Sequence, residues 1–296
     1  MPAEDGNSRT IPCACCSRSR FKPALDCEGF SFVRCASCGL VQRNPQPLPE
    51  EIKERYSKTY GGDYLSYELK NEAAFLKLQQ LALTDAGFYK LEKKIFARNA
   101  GGALGATSTF DIGGASDAPS ALDIGCATGA LLDDLRSRGW RVTGVEISPS
   151  AKYARDARKL DVRGVPLEEI KFPDKSFDVV LASHLIEHLN DPKAFLLETY
   201  RVLKDNGFCF ITTPNISGFQ ARLFGSRWRS AIFDHLYLFS AASLSNMLKN
   251  TSFKIESIRT WGGLAAGYAP RLLKKAADFW AKKSGCGDVM IVRAGK

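Results

Sequence analysis

The sequence predicts an α/β fold, with a largely parallel sheet and a small cysteine-rich module ahead of it. Three observations carry that prediction. From Ala121 onward, short apolar runs of strand length alternate with segments of helical periodicity, the pattern of a sheet covered by helices on both faces. The glycine loop GCATG, at 125–129, follows the first of those runs and opens a helix. Four of the nine cysteines form two C-x-x-C pairs before any of this begins.

At 296 residues and 45% hydrophobic content, the chain suffices for one large domain with an accessory module. It contains no run of roughly 18 apolar residues, so no membrane span is expected. The opening MPAEDGNSRT is polar and lacks the apolar centre of a signal peptide, which points to a soluble, cytoplasmic protein. In that compartment the paired cysteines favour a metal over disulfides.

The net charge is +9 and is unevenly placed. Between Pro270 and Lys296 there are seven Lys or Arg against two Asp, and Arg222, Arg227 and Arg229 surround Trp228. Such patches attract nucleic acid, nucleotide-sugars or acidic membranes; a solvated basic face is the plainer alternative.

In chain order, residues 1–45 form the first module. Cys13-x-x-Cys16 and Cys35-x-x-Cys38 match two knuckles that deliver four thiolates to one tetrahedral zinc. Gly39 supplies the small residue a tight knuckle favours. Cys15 and Cys27 fit the ligand spacing less well, and a redox pair is disfavoured because no βαβ pattern surrounds it. Residues 46–98 read as a helical linker or lid with Tyr56, Tyr60, Tyr64 and Tyr67 in one stripe, interrupted at Gly61-Gly62. Residues 99–118, rich in Gly, Ala and Ser, read as a flexible linker.

The main domain, 119–296, is expected to place strands near 121–124, 141–147, 162–165, 177–182, 207–213, 253–260 and 287–293. Helices are expected at 129–138, 149–159, 191–203, 240–249 and 270–283. Ser148-Pro149 and Asp191-Pro192 each offer an N-cap followed by proline at the first helical position, and Asp205-Asn206-Gly207 a turn.

The glycine loop lets a ligand approach the backbone at the carboxyl end of the first strand. Glu146 ends the second strand, where a carboxylate can bind both hydroxyls of a ribose. The ligand is therefore read as a nucleoside. The loop has Ala127 where a dinucleotide fingerprint has its central glycine. Asp123, just before the loop, would repel a pyrophosphate but suits the ammonium and sulfonium of S-adenosylmethionine.

With those residues in hand, the chain resembles a class I S-adenosylmethionine-dependent methyltransferase carrying an N-terminal zinc ribbon. LDIGCATG is similar to the family's first motif, VEIS to its acidic second motif, and KSFDVVLASHLIEHLNDP to the fourth strand and its exit. RVLKDNGFCFITTPN resembles the fifth strand, HLYLFSAASLSNML the helix before the sixth, and DVMIVRA the final antiparallel strand. The resemblance implies a Rossmann-like seven-stranded sheet in the order 3-2-1-4-5-7-6. It implies that Asp123, Gly125, Cys126, Ala127, Gly129, Glu146 and Ile147 hold the donor. Leu167 should border the adenine, and Ser183 and His184 should face donor and acceptor.

The stretch HLIEHLNDP holds two of the three histidines. His184 is the first candidate for a base that removes the acceptor's proton, with His235 second. A divalent cation on which all three histidines converge, held by His184, Glu187, His188 and His235 with His184 in place of the first glutamate of similar E-x-x-E-H stretches, is a further candidate. The plain alternative is that Glu187 and His188 only fix a strand-to-helix turn. The expected partner is a small-molecule acceptor, a sugar, lipid or secondary metabolite methylated on oxygen or less readily on carbon. An RNA methyltransferase that grips nucleic acid with its ribbon and basic surface is the alternative, although no N-P-P-Y-type loop follows the fourth strand.

Overall fold

The computed structural model describes residues 8–52, 54, 62–100, 118–263 and 270–296. Tyr56, Tyr60 and nearly all of the 99–118 segment lie outside the described residues.

The N-terminal part is built from β1 (Ser8–Arg9), β2 (Phe21–Cys27), β3 (Phe30–Cys35), β4 (Val41–Arg43) and β5 (Gln46–Pro47). β1 pairs with β5, and β2, β3 and β4 form an antiparallel meander. Two helices follow, α1 (Gly62–Asp85) and α2 (Phe88–Ala100), parted at Gly87, whose φ of +82° stops the first. α1 begins at one of the two glycines that interrupt the tyrosine stripe, and the rings of Tyr64 and Tyr67 lie 6.2 Å apart on it.

The large sheet consists of β6 (Ser120–Ile124), β7 (Arg141–Val145), β8 (Val162–Arg163), β9 (Phe177–Ser183), β10 (Leu203–Pro214), β12 (Lys254–Trp261) and β13 (Val289–Gly295). Its spatial order is β12-β13-β10-β9-β6-β7-β8. β6, β7, β8, β9 and β10 run parallel, whereas β13 is antiparallel to both its neighbours. β6 and β9 lie near the middle and are buried almost throughout, which is why they read as continuous apolar runs.

Helices α3 (Ala130–Ser137), α4 (Ser150–Asp156), α5 (Leu167–Ile170) and α6 (Pro192–Val202) cross between the parallel strands. Asp191 caps α6 by accepting from Lys193 N and Ala194 N, with Pro192 first in the helix. α7 (Phe219–Phe224) and α8 (Ala241–Asn250) follow β10, and α9 (Arg271–Ser284) connects β12 to β13. Asp205-Asn206-Gly207 does not form the expected turn: β10 starts at Leu203 and absorbs these residues as a register shift between Leu203 and Phe208.

One connection has no counterpart in the sequence pattern. β11 (Tyr237–Leu238), from the C-terminal half, pairs antiparallel with β4 and completes the four-stranded sheet β11-β4-β3-β2. Arg43 N donates to Leu236 O at 2.8 Å, and the Arg43 guanidinium lies 3.7 Å from the centre of the Phe233 ring. Phe32 and Val41 share a buried cluster with Trp228 and Leu238. The N-terminal sheet thus has no separate core; its apolar face is buried against the C-terminal half.

Candidate active site

The loop after β6 takes three left-handed residues: Gly125 (φ 77°), Ala127 (φ 48°) and Gly129 (φ 78°). Ala127 bears the steric cost of that region, which glycine would avoid. The bend is held from β7: Glu146 accepts from Ala127 N at 2.9 Å and from Ser148 N at 2.7 Å. At Gly129 a Cβ would fall 2.6 Å from the Leu160 side chain and 3.2 Å from Ala154 Cβ, so any larger residue forces Leu160 to move.

Cys126 lies in the loop, but its side chain is buried in a cluster with Leu132, Ala151, Ala154 and Leu160, leaving its main chain to meet a ligand. Leu167 is turned under α5 into the main core at 4% exposure, so its side chain does not border an open pocket as expected. Ile147 is the reverse case, 55% exposed beside Glu146.

Around the loop four carboxylates gather. Asp123 is 2% exposed, and burial, reinforced by the charge of Glu146, pushes its carboxyl up to about 7. From α1, Glu72 accepts from Thr128 Oγ1 at 2.6 Å and pairs with Arg158 at 2.5 Å, while Glu68 accepts from the Ser150 hydroxyl. Burial raises Glu68 as well, with Glu146 and Glu72 adding to it against the bond from Ser150. α1 thus lies over the loop and brings two more carboxylates to it, of which Glu72 is paired with Arg158. Glu68 and Glu72 escaped the sequence reading; their four-residue spacing puts them on one helical face, but acidic residues on a lid helix are common.

At the end of β9, Ser183 is followed by His184 in the left-handed region (φ 52°), its N–H donating to Thr212 O at 2.8 Å. A β-to-αL switch at a non-glycine residue marks a constrained position. The imidazole is 49% exposed, and Nδ1 stands 3.3 Å from Oε1 of Glu187. Glu187 is fully buried; Oε2 accepts from Thr213 Oγ1 at 3.0 Å, while Oε1 has no aligned hydrogen-bond partner. Burial alone would raise this carboxyl, but the contact with His184 and the charges of His184, His188 and His235 outweigh it and hold it at about 2.

His188 Nδ1 donates to Asp234 O at 2.9 Å and His235 Nδ1 donates to Ser230 O at 2.8 Å, since a carbonyl can only accept. The two rings meet edge to face with centres 4.6 Å apart. Burial, then the charge of His188, lowers His235 to about 4, so it is neutral at neutral pH. Glu187, His188 and His235 each offer a ligand atom within 4.8 Å of the others. His184, although it touches Glu187, is not part of that set.

Residues 83–258 match the family model described as Methyltransferase domain. The chain belongs to the methyltransferase-domain family. A probable S-adenosylmethionine-dependent methyltransferase of Mycolicibacterium smegmatis is 32% identical over 135 residues, 44% of this chain and 50% of that protein. A ubiquinone biosynthesis O-methyltransferase of Bradyrhizobium diazoefficiens is 34% identical over 139 residues, 45% of this chain and 49% of that one. The chain spans about half the length of the curated relatives it matches. The solved structure of a SAM dependent methyltransferase from Archaeoglobus fulgidus is similar at 21% identity and a TM-score of 0.46, covering 60% of this chain and 86% of that one.

A shallow, narrow cleft lies between α1 and the ends of β9 and β10. Leu83, Leu131 and Phe210 make most of it apolar, and Gln79, Ser183 and Thr212 add polar groups. Ahead of the domain, the cysteines of the two C-x-x-C pairs converge: Cys13 and Cys38 Sγ are 3.4 Å apart, Cys16 and Cys35 3.6 Å, and all four lie within 4.8 Å. Cys15 instead accepts from Asn250 Nδ2 on α8, and Cys27 faces Ser226 O.

Trp228, at the centre of the basic cluster, is buried. It is 2% exposed and donates its indole N–H to Asp288, which also holds Arg229 at 2.6 Å. The basic cluster around it is therefore partly a structural clamp.

Proposed function

We propose that this protein is an S-adenosylmethionine-dependent O-methyltransferase of a small molecule, with His184 as the base. The observation that carries the reading is the placement of His184: at the exit of β9, half exposed, against a buried anionic Glu187, one strand from the glycine loop. Counted within the main domain, the sheet order reads 3-2-1-4-5-7-6, the order the family resemblance implies.

S-adenosylmethionine, when bound, supplies a methyl group already activated on a sulfonium sulfur. Gly125, Ala127 and Gly129 would present the backbone to it, Glu146 with Ile147 would serve its nucleoside part, and Asp123 would provide the negative charge for its cationic end. Glu68 and Glu72, with α1, close the site from above. Ser183, Thr212 and Gln79 orient the acceptor within the apolar cleft. His184 takes the hydroxyl proton as the oxygen attacks, and the Glu187 carboxylate stabilises the imidazolium that results. Proximity and one base suffice, because the leaving group needs no protonation.

A second reading follows from the trio Glu187, His188 and His235, in which Glu187 and His235 are buried and His188 is half-buried. Both Nδ1 atoms are committed to carbonyls, the arrangement by which metal-binding histidines are held, and Oε1 of Glu187 lacks an aligned partner. Two imidazoles and one carboxylate suit a transition-metal divalent cation better than magnesium. Such an ion would lower the pKa of an acceptor hydroxyl.

The four converging cysteines support a structural zinc in a ribbon spanning 1–45, since tetrahedral Zn–S bonds of about 2.3 Å place sulfurs about 3.8 Å apart. In this reading α1 and α2 form the lid and 119–296 the methyltransferase domain, while β5 (Gln46–Pro47), paired with β1, goes with the N-terminal sheet and not with the lid. RNA as acceptor is the weaker alternative, because Arg229 and Trp228 are already tied to Asp288.

The test combines a donor titration with incubation of the protein, labelled S-adenosylmethionine and a metabolite pool. Label transferred to a small hydroxyl compound is expected. His184→Ala should lower turnover by about 10²–10⁴-fold while donor affinity stays unchanged. Absence of donor binding would end the proposal, and full turnover in the variant would remove His184 from its role.

A further inference from the structure

Helix α9 is the connection between β12 and β13, and no part of the proposed chemistry uses it. One face holds it to the fold. Ala277 and Asp278 lie against Gly263, whose N–H donates to Asp278 Oδ1 at 2.8 Å, and Ala281 O accepts from Thr260 Oγ1 at 3.0 Å. Lys282 reaches Asp85 at the end of α1 at 2.6 Å, which ties the helix to the lid over the donor loop.

The opposite face is apolar and open. Leu273 is 61% exposed, Phe279 62% and Trp280 63%, the three highest values among the large hydrophobic residues described as exposed. Their spacing, with Ala276 between them, follows the three-and-four rule, so they form one stripe rather than scattered contacts. Cations border it: Lys275 and Lys283 are exposed, and the Lys283 ammonium lies 5.9 Å from the centre of the Trp280 ring. By sequence α9 carries five cationic residues and one Asp.

We infer that α9 docks the protein on an anionic phospholipid surface. Its 14 residues make a rod about 21 Å long, enough to lie in the headgroup plane and too short to cross a bilayer. Trp280 and Phe279 belong at the boundary between headgroups and acyl chains, and lysines on either side reach outward to phosphate. Charge decides between occupants. A second copy would bring one lysine-bordered stripe against another, whereas an anionic membrane complements both the apolar centre and the cationic border. Nucleic acid would satisfy the lysines but leave Leu273 and Phe279 wet. The inference is independent of the acceptor and of the role given to His184.

Co-sedimentation of the full-length protein with vesicles tests it. Binding is expected to phosphatidylglycerol–phosphatidylcholine vesicles, not to phosphatidylcholine alone, and should weaken as salt rises from about 0.1 M to about 0.5 M. Trp280→Ser and the pair Lys275→Glu with Lys283→Glu should each reduce it by roughly tenfold. All three sites are exposed, so thermal melting should be unchanged and serves as the folding control. No binding to the anionic vesicles, or binding that neither variant weakens, overturns the inference. So does self-association without vesicles that Trp280→Ser abolishes, which would assign the face to a second copy. RNA binding lost in the lysine variant while vesicles stay unbound would overturn it equally.

Discussion

Asp123 is a carboxyl whose ionisation the fold resists until a cation arrives. Its value in the folded chain, about 7, lies above the ordinary 3.8 because the side chain is buried beside Glu146. The folded protein therefore holds this proton more tightly than the unfolded chain. The group's contribution to stability is complete below about pH 4 and is lost as pH rises through about 7. A bound ammonium or sulfonium favours the charged form, so donor binding below pH 7 must expel a proton. Affinity for S-adenosylmethionine is expected to rise with pH by up to about tenfold per unit and to level off near 7. Calorimetric titration in two buffers of different ionisation enthalpy measures the released proton. Identical heats and a flat affinity across that range would contradict the assignment of Asp123 to the donor's cationic end.

At the scale of elements, the turn out of β9 and the glycine loop were legible to different depths. GCATG announced itself through its glycines, and the structure supplies the reason at Gly129, where a Cβ would force Leu160 to move. Gly129→Ala adds a left-handed strain of about 1–2 kcal/mol to overpacking of about 1–3 kcal/mol. A fall in melting temperature of roughly 5–10 °C and loss of donor binding are expected in thermal melts and titration. Ala127→Gly, which relieves the φ of 48°, should melt no lower than the parent within about 1 kcal/mol. The strands and the five longer main-domain helices were readable because their burial imposes periodicity on the sequence. α5 and α7, of four and six residues, are too short to leave one. The burial of Trp228 was not legible, because it depends on Asp288, sixty residues away, and on the N-terminal sheet, which local pattern cannot see.

For the whole molecule, the decisive contacts are those between the N-terminal sheet and the C-terminal half. Cys13, Cys15, Cys35 and Leu40 are buried in the same cluster as Leu236, Tyr237 and Leu248. A ribbon joined in this way does not melt alone. Removing the proposed zinc with a chelator is expected to lower the melting temperature of a single cooperative transition, and Cys35→Ser should give the same shift without chelator. Two separate transitions in differential scanning calorimetry would show that the halves fold independently. Chelation should also lower turnover, because the segment that carries His235 runs directly into β11 and is held by β4.

The loan of β11 to the ribbon also bears on ancestry and engineering. An appended cassette can be deleted, exchanged or moved to another host with its junction left open to water. Here excision at the boundary near residue 45 would strip Tyr237 and Leu238 of their strand partner. It would also loosen the backbone from Ser230 to Leu236 that presents His235 and, at Asp234 O, accepts the hydrogen bond from His188. The N-terminal sheet and the turn from His184 to His188 are therefore expected to be gained or lost together, and chimeras should be cut on the far side of β11.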